Sequence, residues 1–321
     1  MLQVLLVTFP FFALVLCGYV AARRGILPLQ AIPGLNGFVL FFALPCMLYR
    51  FGASTPLAQL HDASVFFTYL LCALVMVGFT VTVSMNRRVG WNDAAFGALV
   101  AAFPNTGFMG VPLLVALVGA SAAGPAILTI VVDMLITTSL CIALSRLDGA
   151  DEHGFRKAAG QALKGVAANP MPWAIVLGTL SSAFALELPR PVLQTVGLLA
   201  DAASPVALFT IGAVLARSQM LTADGGARPM PLRDYVPVAL LKLLLHPLLV
   251  LLVGAAARAL GAPLERSALV VIVLVAALPS ASNVSMLAER FGANNGRIAR
   301  IILVSTALAF LSFSAIVALL L

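Results

Sequence analysis

Residues 99–105 read Leu-Val-Ala-Ala-Phe-Pro-Asn, and residues 274–280 repeat this stretch as Leu-Val-Ala-Ala-Leu-Pro-Ser. Five of the seven residues are identical, and both copies lie within long apolar stretches. Proline removes a backbone hydrogen bond and clashes with the preceding helical turn, so each stretch is expected to break near its middle. Two broken helices in corresponding positions of two chain halves are typical of secondary transporters whose binding site lies between the breaks.

The composition around these repeats is that of a membrane protein. The 321 residues are 62% hydrophobic and 10% charged, with a mean hydropathy of +1.08. About 20 apolar residues are needed to cross a hydrocarbon core of about 30 Å. Ten such stretches are found, at 2–22, 33–52, 62–85, 93–118, 122–146, 167–186, 191–216, 232–259, 265–291 and 296–320. The sequence therefore predicts an all-α polytopic membrane protein with ten transmembrane helices.

Basic residues are distributed unevenly between the two sides that these ten helices define. Fourteen, Arg297 among them, fall on one side, whereas only Arg50, Arg190, Arg258 and Arg266 fall on the other. Cytoplasmic loops carry an excess of Lys and Arg, so we expect a cell (inner) membrane protein with both termini periplasmic or extracellular. The net charge of +7 then reflects orientation in a lipid bilayer, and no nucleic-acid partner is expected.

The longest polar stretch divides the ten helices into five and five. We expect residues 1–147 to form an N-terminal repeat, 148–164 a cytoplasmic linker and 165–321 a C-terminal repeat. An odd number of helices per half makes the second half antiparallel to the first, which predicts an inverted repeat with broken helices 4 and 9 that cross. Pro45 and Pro205 form a second matched pair, expected to interrupt helices 2 and 7.

Short polar side chains and glycine follow both repeated prolines. Backbone freed from helical bonding must face protein or a watery cavity, because lipid offers no hydrogen-bond partners. Each second half-helix also presents unpaired N–H groups and the positive end of its dipole, which favour an anion such as a carboxylate. The predicted substrate-binding residues are Pro104, Asn105, Thr106, Gly107, Pro279, Ser280, Ser282 and Asn283. A competing interpretation is that they only cap the half-helices.

Three ionisable residues deep in the spans are candidates for ion coupling or charge pairing. Asp133, which shares a helix face with Thr129 and Thr137, is interpreted either as the carrier of a coupling H⁺ or Na⁺ or as a structural carboxylate. Lys242 is interpreted as a partner for the bound anion or for Asp133, or as a side chain that reaches the interface. His246, one turn further, is either a buried hydrogen-bonded residue or a proton relay.

Several function classes lack support in the sequence. We find no HExxH, no nucleotide-binding glycine loop and no aspartate-rich diphosphate site, so an enzyme is not expected. The four cysteines show neither CxxC nor Cys/His spacing, and no metal site or cofactor is predicted.

Four segments, in the same order along the chain, resemble the auxin efflux carrier family, which includes plant PIN-type carriers and bacterial permeases for malonate and malate. They are Pro104 to Leu114, Asn169-Pro170 with Gly178, Asp201-Ala202 with Phe209 and Gly212, and Ala276 to Pro279 with Ala288, Phe291 and Gly292. The resemblance implies a fold like that of bile acid sodium symporters, built as a homodimer. It also implies a scaffold of helices 1, 2, 6 and 7 and a mobile transport domain of helices 3–5 and 8–10.

These observations predict a secondary active transporter of small organic anions, such as malonate, malate or auxin-like acids, working by elevator-type alternating access. One alternative is a sodium-coupled carrier of larger amphipathic anions of the bile-acid type. Another is a membrane-embedded sensor or channel.

Overall fold

The computed structural model describes residues 2–54, 62–146, 170–186, 188–224 and 230–321, and the predicted linker at 148–164 lies outside them. The helices are α1 (Leu2–Arg23), α2 (Leu29–Ser54), α3 (Ala63–Ser84), α4 (Trp91–Ala102), α5 (Thr106–Val118), α6 (Ala120–Ser145), α7 (Pro170–Ala183), α8 (Arg190–Asp224), α9 (Val236–Ala259), α10 (Arg266–Ala277), α11 (Val284–Arg290) and α12 (Asn295–Leu320). Within the described ranges, six of them, α2, α3, α6, α8, α9 and α12, are long and apolar enough to cross a membrane. The predicted all-helical membrane protein is confirmed.

Both repeated prolines stand where a helix stops. α4 ends at Ala102 and α5 begins at Thr106, whereas α10 ends at Ala277 and α11 begins at Val284. The residues in between are extended or turn-like, with φ −99° and ψ 101° at Phe103 and φ −63° and ψ 156° at Leu278. An extended residue before proline is expected, because the proline ring clashes with a helical predecessor.

Other prolines leave their helices continuous, and a widened turn explains three of them. Pro45, Pro112 and Pro247 each lie two residues after a π-helical turn, at Val39–Ala43, Thr106–Gly110 and Leu241–Leu245. In such a turn the hydrogen bonds reach back five residues instead of four, which accommodates the bond that proline cannot make. The prediction that Pro45 interrupts helix 2 is therefore wrong, because α2 widens without breaking.

Pro205 also lies inside an unbroken helix, the 35-residue α8. The prediction of an interruption in helix 7 is wrong, since one missing hydrogen bond leaves so long a helix continuous. α8 extends beyond the predicted end at 216 to Asp224, and the Tyr19 hydroxyl of α1 donates to Gln219 Oε1 at 2.6 Å in this extension.

Two sets of helices pack closely among themselves. In the first, α1 packs against α8, and α2 packs against both α7 and α8. In the second, α3 packs against α4 and α9, α4 against α6, and α10 against α6, α9 and α12. The first set relies on small residues, because the backbones nearly touch: a Cβ added at Gly212 would lie 1.8 Å from the Val15 carbonyl oxygen. Such contacts are typical of membrane helix packing.

We predict that Gly212→Ala destabilises the protein, whereas Gly197→Ala in the same helix does not. The new methyl group at position 212 must push α1 away from α8, at a cost of about 1–3 kcal/mol. Nothing lies within 4 Å of a Cβ at position 197, so alanine there gains helix propensity of up to about 1 kcal/mol. Thermal unfolding in detergent measures both. Equal stability of the two variants would contradict the close packing of α1 on α8.

Candidate functional site

The two helix breaks meet each other directly. Pro104 and Ser280 form an antiparallel β-bridge, in which the Asn105 N–H donates to the Pro279 carbonyl at 2.8 Å. The Ala281 N–H donates to the Phe103 carbonyl at 3.0 Å. Each break thus supplies hydrogen-bond partners to the other at a place where water and lipid cannot reach, since Asn105 and Ser280 are both buried.

Side chains from α9 and α12 satisfy the next backbone groups of the second break. In an unbroken helix the Ala276 carbonyl would accept from the Ser280 N–H, but this N–H donates instead to Ser305 Oγ of α12 at 3.2 Å. The Ala276 carbonyl accepts instead from the Lys242 ammonium of α9, at 2.6 Å. A cation at the end of α10 is also favoured by the negative end of the helix dipole.

Three polar side-chain atoms at the crossing are buried without a hydrogen-bond partner: Thr106 Oγ1, Ser280 Oγ and Asn283 Oδ1. An unsatisfied buried polar atom costs about 1–3 kcal/mol and calls for an explanation. All three belong to residues predicted to bind substrate. Ser282 is half-buried, as Asn283 is, and its carbonyl accepts from the Ser285 hydroxyl at 2.8 Å.

A small cavity of about 20 Å³ lies beside the crossing, and Asn283 is the one of these residues that lines it. The crossing forms one wall through Pro104, Asn105, Gly107 and Asn283, among others. The opposite side is formed by apolar side chains of α2, α6 and α7, namely Leu44, Leu48, Ile130, Met134 and Met171. A volume of this size holds about one water molecule. The crossing therefore faces a small, mostly apolar space that is lined by helices of both sets.

Asp133 lies in a fully buried cluster of hydroxyl groups. The Tyr69 hydroxyl of α3 donates to Asp133 Oδ2 at 2.9 Å, and Thr137 Oγ1 donates to Oδ1 at 3.2 Å. A π-helical turn at Val132–Thr137 presents the carboxyl group, and the Thr138 hydroxyl donates to the Asp133 carbonyl at 2.7 Å within it. Thr129, predicted on the same face, donates to the Ala126 carbonyl instead.

Lys242 and His246 form a second buried cluster next to the first. Lys242 Nζ lies 3.1 Å from His246 Nδ1, and His246 Nε2 is buried without a partner. The rings of Tyr69 and His246 are 5.9 Å apart, so the two clusters adjoin. The expectation that Lys242 reaches the interface is wrong, because its side chain is fully buried. Its ammonium contacts Ala276 and His246, and among the described residues the only ion pairs are Arg50–Asp201 and Arg233–Asp234.

Sequence reasoning missed two contributors to this region. Tyr69, the partner of Asp133, is one tyrosine in an apolar helix, and its spacing gives no sign of a neighbour 64 residues away. Arg297, counted above as a loop residue, is buried and clamps two helix starts: Nε donates to the Asp234 carbonyl at 2.7 Å and Nη1 to the Asp93 carbonyl at 2.8 Å. Thirteen basic residues then remain on the side that the sequence predicts to be cytoplasmic.

Apolar helices long enough to span a membrane, with two breaks crossing in a buried polar site, define a polytopic membrane protein of the transporter class. The family model described as "Membrane transport protein" matches residues 4–317, and the chain belongs to this family, which is the auxin efflux carrier family. The protein is therefore an integral membrane transporter, and the resemblance noted in its sequence is confirmed.

Relatives from bacteria and plants cover most of the chain. A protein named "Putative malonate transporter" from Rhizobium meliloti (strain 1021) is 28% identical over 94% of this chain and 90% of its own length. "Uncharacterized transporter YfdV" from Escherichia coli (strain K12) is 28% identical over 88% of this chain and 86% of its own. "Auxin efflux carrier component 8" from Arabidopsis thaliana is 23% identical over 85% of each chain.

The geometry predicts opposite roles for two serines that lie side by side. Ser305→Ala removes the acceptor of the Ser280 N–H and should lower stability by about 1–3 kcal/mol, because a buried donor loses its partner. Ser280→Ala removes a hydroxyl with no protein partner, so stability should stay the same or rise. Thermal unfolding without added ligand compares them. Destabilisation by Ser280→Ala as large as that by Ser305→Ala would show that its hydroxyl is structural.

Proposed function

We propose that this protein is a secondary active transporter of small organic anions, carboxylates such as malonate, malate or auxin-like acids. The crossing carries the proposal, because it leaves the hydroxyl groups of Thr106 and Ser280 buried without a partner, while Asn105 and Asn283 line the cavity beside it. A carboxylate bound at the crossing would accept hydrogen bonds from both hydroxyl groups and so offset the cost of their burial. Relatives named as malonate and auxin efflux transporters support an anionic substrate.

The chemistry of the crossing suits a carboxylate. The hydroxyl groups of Thr106 and Ser280 and the side-chain amides of Asn105 and Asn283 can each donate to a carboxylate oxygen. The start of α5, at Thr106 and Gly107, adds the positive end of a helix dipole. Pro104 and Pro279 contribute to the site by interrupting the two helices. Ser282 lies within the second interruption. The apolar side chains across the cavity then face the non-carboxylate part of the substrate.

The two sets of helices suit an elevator-type mechanism. We assign α1, α2, α7 and α8 to the scaffold (helices 1, 2, 6 and 7) and the remaining helices to the transport domain. The cavity lies between Leu44 and Met171 of this scaffold and the crossing of the transport domain, where an alternating-access site belongs. In this account residues 1–147 and 165–321 are inverted five-helix repeats joined by residues 148–164, and two copies form a homodimer.

The direction of insertion follows from charge. With Arg297 buried, thirteen basic residues still face one side against four on the other, so we place both termini outside the inner membrane.

We assign ion coupling to the adjoining buried clusters of Asp133, Lys242 and His246. Lys242 links them to the crossing, because its ammonium holds the last turn of α10 through Ala276 while contacting His246. Binding of H⁺ or Na⁺ at these clusters would change their charge and so alter the hydrogen bond from Lys242 to the Ala276 carbonyl at the second break. Asp133, bonded to hydroxyl groups that can donate or accept, is the residue to which we assign the coupling ion.

The substrate site is tested by two alanine variants at the crossing and by one alanine control outside it. Ser280→Ala and Asn105→Ala should weaken substrate binding about tenfold or more, because a hydrogen bond to a charged group contributes about 1.5–3 kcal/mol. Ser312→Ala, which removes another buried, unpartnered hydroxyl in α12, should leave binding unchanged. Exchange of radiolabelled malonate and other small carboxylates is measured in proteoliposomes. Wild-type exchange by monodisperse Ser280→Ala and Asn105→Ala would contradict the site.

Coupling is tested by Asp133→Asn, which keeps the shape of the side chain but removes its ionisation. If Asp133 binds the coupling ion, the variant should lose gradient-driven accumulation yet retain substrate exchange, since exchange needs no net change at the coupling site. Tyr69→Phe, which removes one hydrogen bond to Asp133, serves as a milder comparison. Accumulation by Asp133→Asn at the wild-type level, with the same pH dependence, would eliminate the coupling role.

A further inference from the structure

A groove of about 460 Å³ lies between α3 and α9, away from the crossing. It exists because the two helices diverge: α9 contacts α3 through His246–Ala259, whereas its first turn, Val236–Leu240, packs against α12 and α4. The lining from Pro237 to Leu245 corresponds to about 12 Å of helix at a rise of about 1.5 Å per residue. The groove is thus long enough for a headgroup and the upper part of an acyl chain.

The walls of the groove are apolar and open towards the bilayer. Phe79 and Val83 of α3 and Leu240 and Leu244 of α9 line it, and each is between 40% and 57% exposed. On a membrane protein these side chains face lipid. An occupant of this part of the groove therefore has to be a hydrocarbon chain.

The inner end of the groove is polar. Ser84 lines the groove and is buried, and its hydroxyl group has no hydrogen-bond partner. Arg233, whose side chain is 71% exposed, stands at the same end, and the buried Arg297 lies behind it. Asp234 is the acidic residue in the lining and lies 4.0 Å from Arg233, so the lining carries a net positive charge.

Further arginines surround this end of the helices. Arg87 and Arg88 follow the lining residue Asn86, and the Arg300 guanidinium lies 6.0 Å from the ring centre of Tyr235, next to Asp234. Clusters of basic residues at a membrane boundary attract anionic lipid headgroups.

We propose that this groove binds an anionic glycerophospholipid, with its phosphate between the Ser84 hydroxyl and the Arg233 guanidinium and an acyl chain along Phe79, Val83 and Leu244. The hydroxyl group donates to a phosphate oxygen, and the arginine supplies the charge. The two walls belong to different chain halves, so a bound lipid bridges α3 and α9.

The proposal is tested by native mass spectrometry of the purified full-length protein titrated with dioleoylphosphatidylglycerol or dioleoylphosphatidylcholine. One phosphatidylglycerol should bind at least fivefold more tightly than phosphatidylcholine. Arg233→Gln should weaken its binding about fivefold, and Arg266→Gln, a charge removed from an exposed position at the start of α10, should not. Val83→Trp fills the groove and should weaken binding tenfold or more.

Val75→Trp is the matched control for the filled groove, since Val75 is an exposed residue of the same helix two turns away and outside the lining. It should bind phosphatidylglycerol like the wild type. Equal affinity for the two lipids, or wild-type affinity in Val83→Trp, would overturn the proposal and leave only unselective contact with bulk lipid. Equally tight binding of oleate would overturn the role of the phosphate.

Discussion

The structure depends on one constraint: backbone groups released by Pro104 and Pro279 must find partners inside an apolar protein. The breaks solve this mutually, through the hydrogen bonds Asn105 to Pro279 and Ala281 to Phe103. At the second break, the Ser280 N–H and the Ala276 carbonyl are bonded instead by Ser305 and Lys242, side chains of two further helices. Each unpaired backbone polar group would cost several kcal/mol in an apolar environment. The crossing therefore fixes the positions of α9 and α12, because these helices carry the side chains that bond to it.

The same constraint explains how polar side chains come to be concentrated around the crossing. Three other prolines, Pro45, Pro112 and Pro247, are accommodated by π-helical turns, and one of these turns, Leu241–Leu245, also presents Lys242. At Val132–Thr137 there is no proline, but the hydroxyl group of Thr138, the next residue, donates to the Asp133 carbonyl of the widened turn. Asp133 and Lys242, two of the three ionisable candidates for coupling, thus project from irregular turns, which are frequent at functional sites.

The sequence predicts this arrangement where the signal is local. The repeated prolines locate both breaks, and the apolar stretches locate the helices to within a few residues. The prediction fails where the outcome depends on a distant partner. Helix α8 runs to Asp224 because polar residues continue it beyond the apolar stretch, and Tyr19 holds Gln219 there. The burial of Arg297 is not predicted, because it depends on hydrogen bonds to the carbonyls of Asp93 and Asp234, which are distant in sequence.

Candidate site residues divide in the same way. Four of them can be identified from sequence, because they follow a proline that breaks a helix: Asn105, Thr106, Ser280 and Asn283. The partner of Asp133 is different, because Tyr69 lies 64 residues away and only the packing of α3 on α6 unites them. Pairing of Asp133 with Lys242 was a reasonable expectation from charge alone. Hydroxyl groups and a helix end satisfy the two residues separately instead.

The central claim, that the crossing of the two breaks is where substrate binds, is tested most directly by substrate protection of a cysteine placed there. In a variant whose four native cysteines are replaced, Asn283→Cys is labelled with a small thiol reagent in the presence of carboxylates from malonate to indole-3-acetate. The account predicts that a transported carboxylate slows labelling at position 283 in proportion to its occupancy, while Ser312→Cys is labelled at an unchanged rate. Unchanged labelling at position 283 under saturating transported substrate would contradict it.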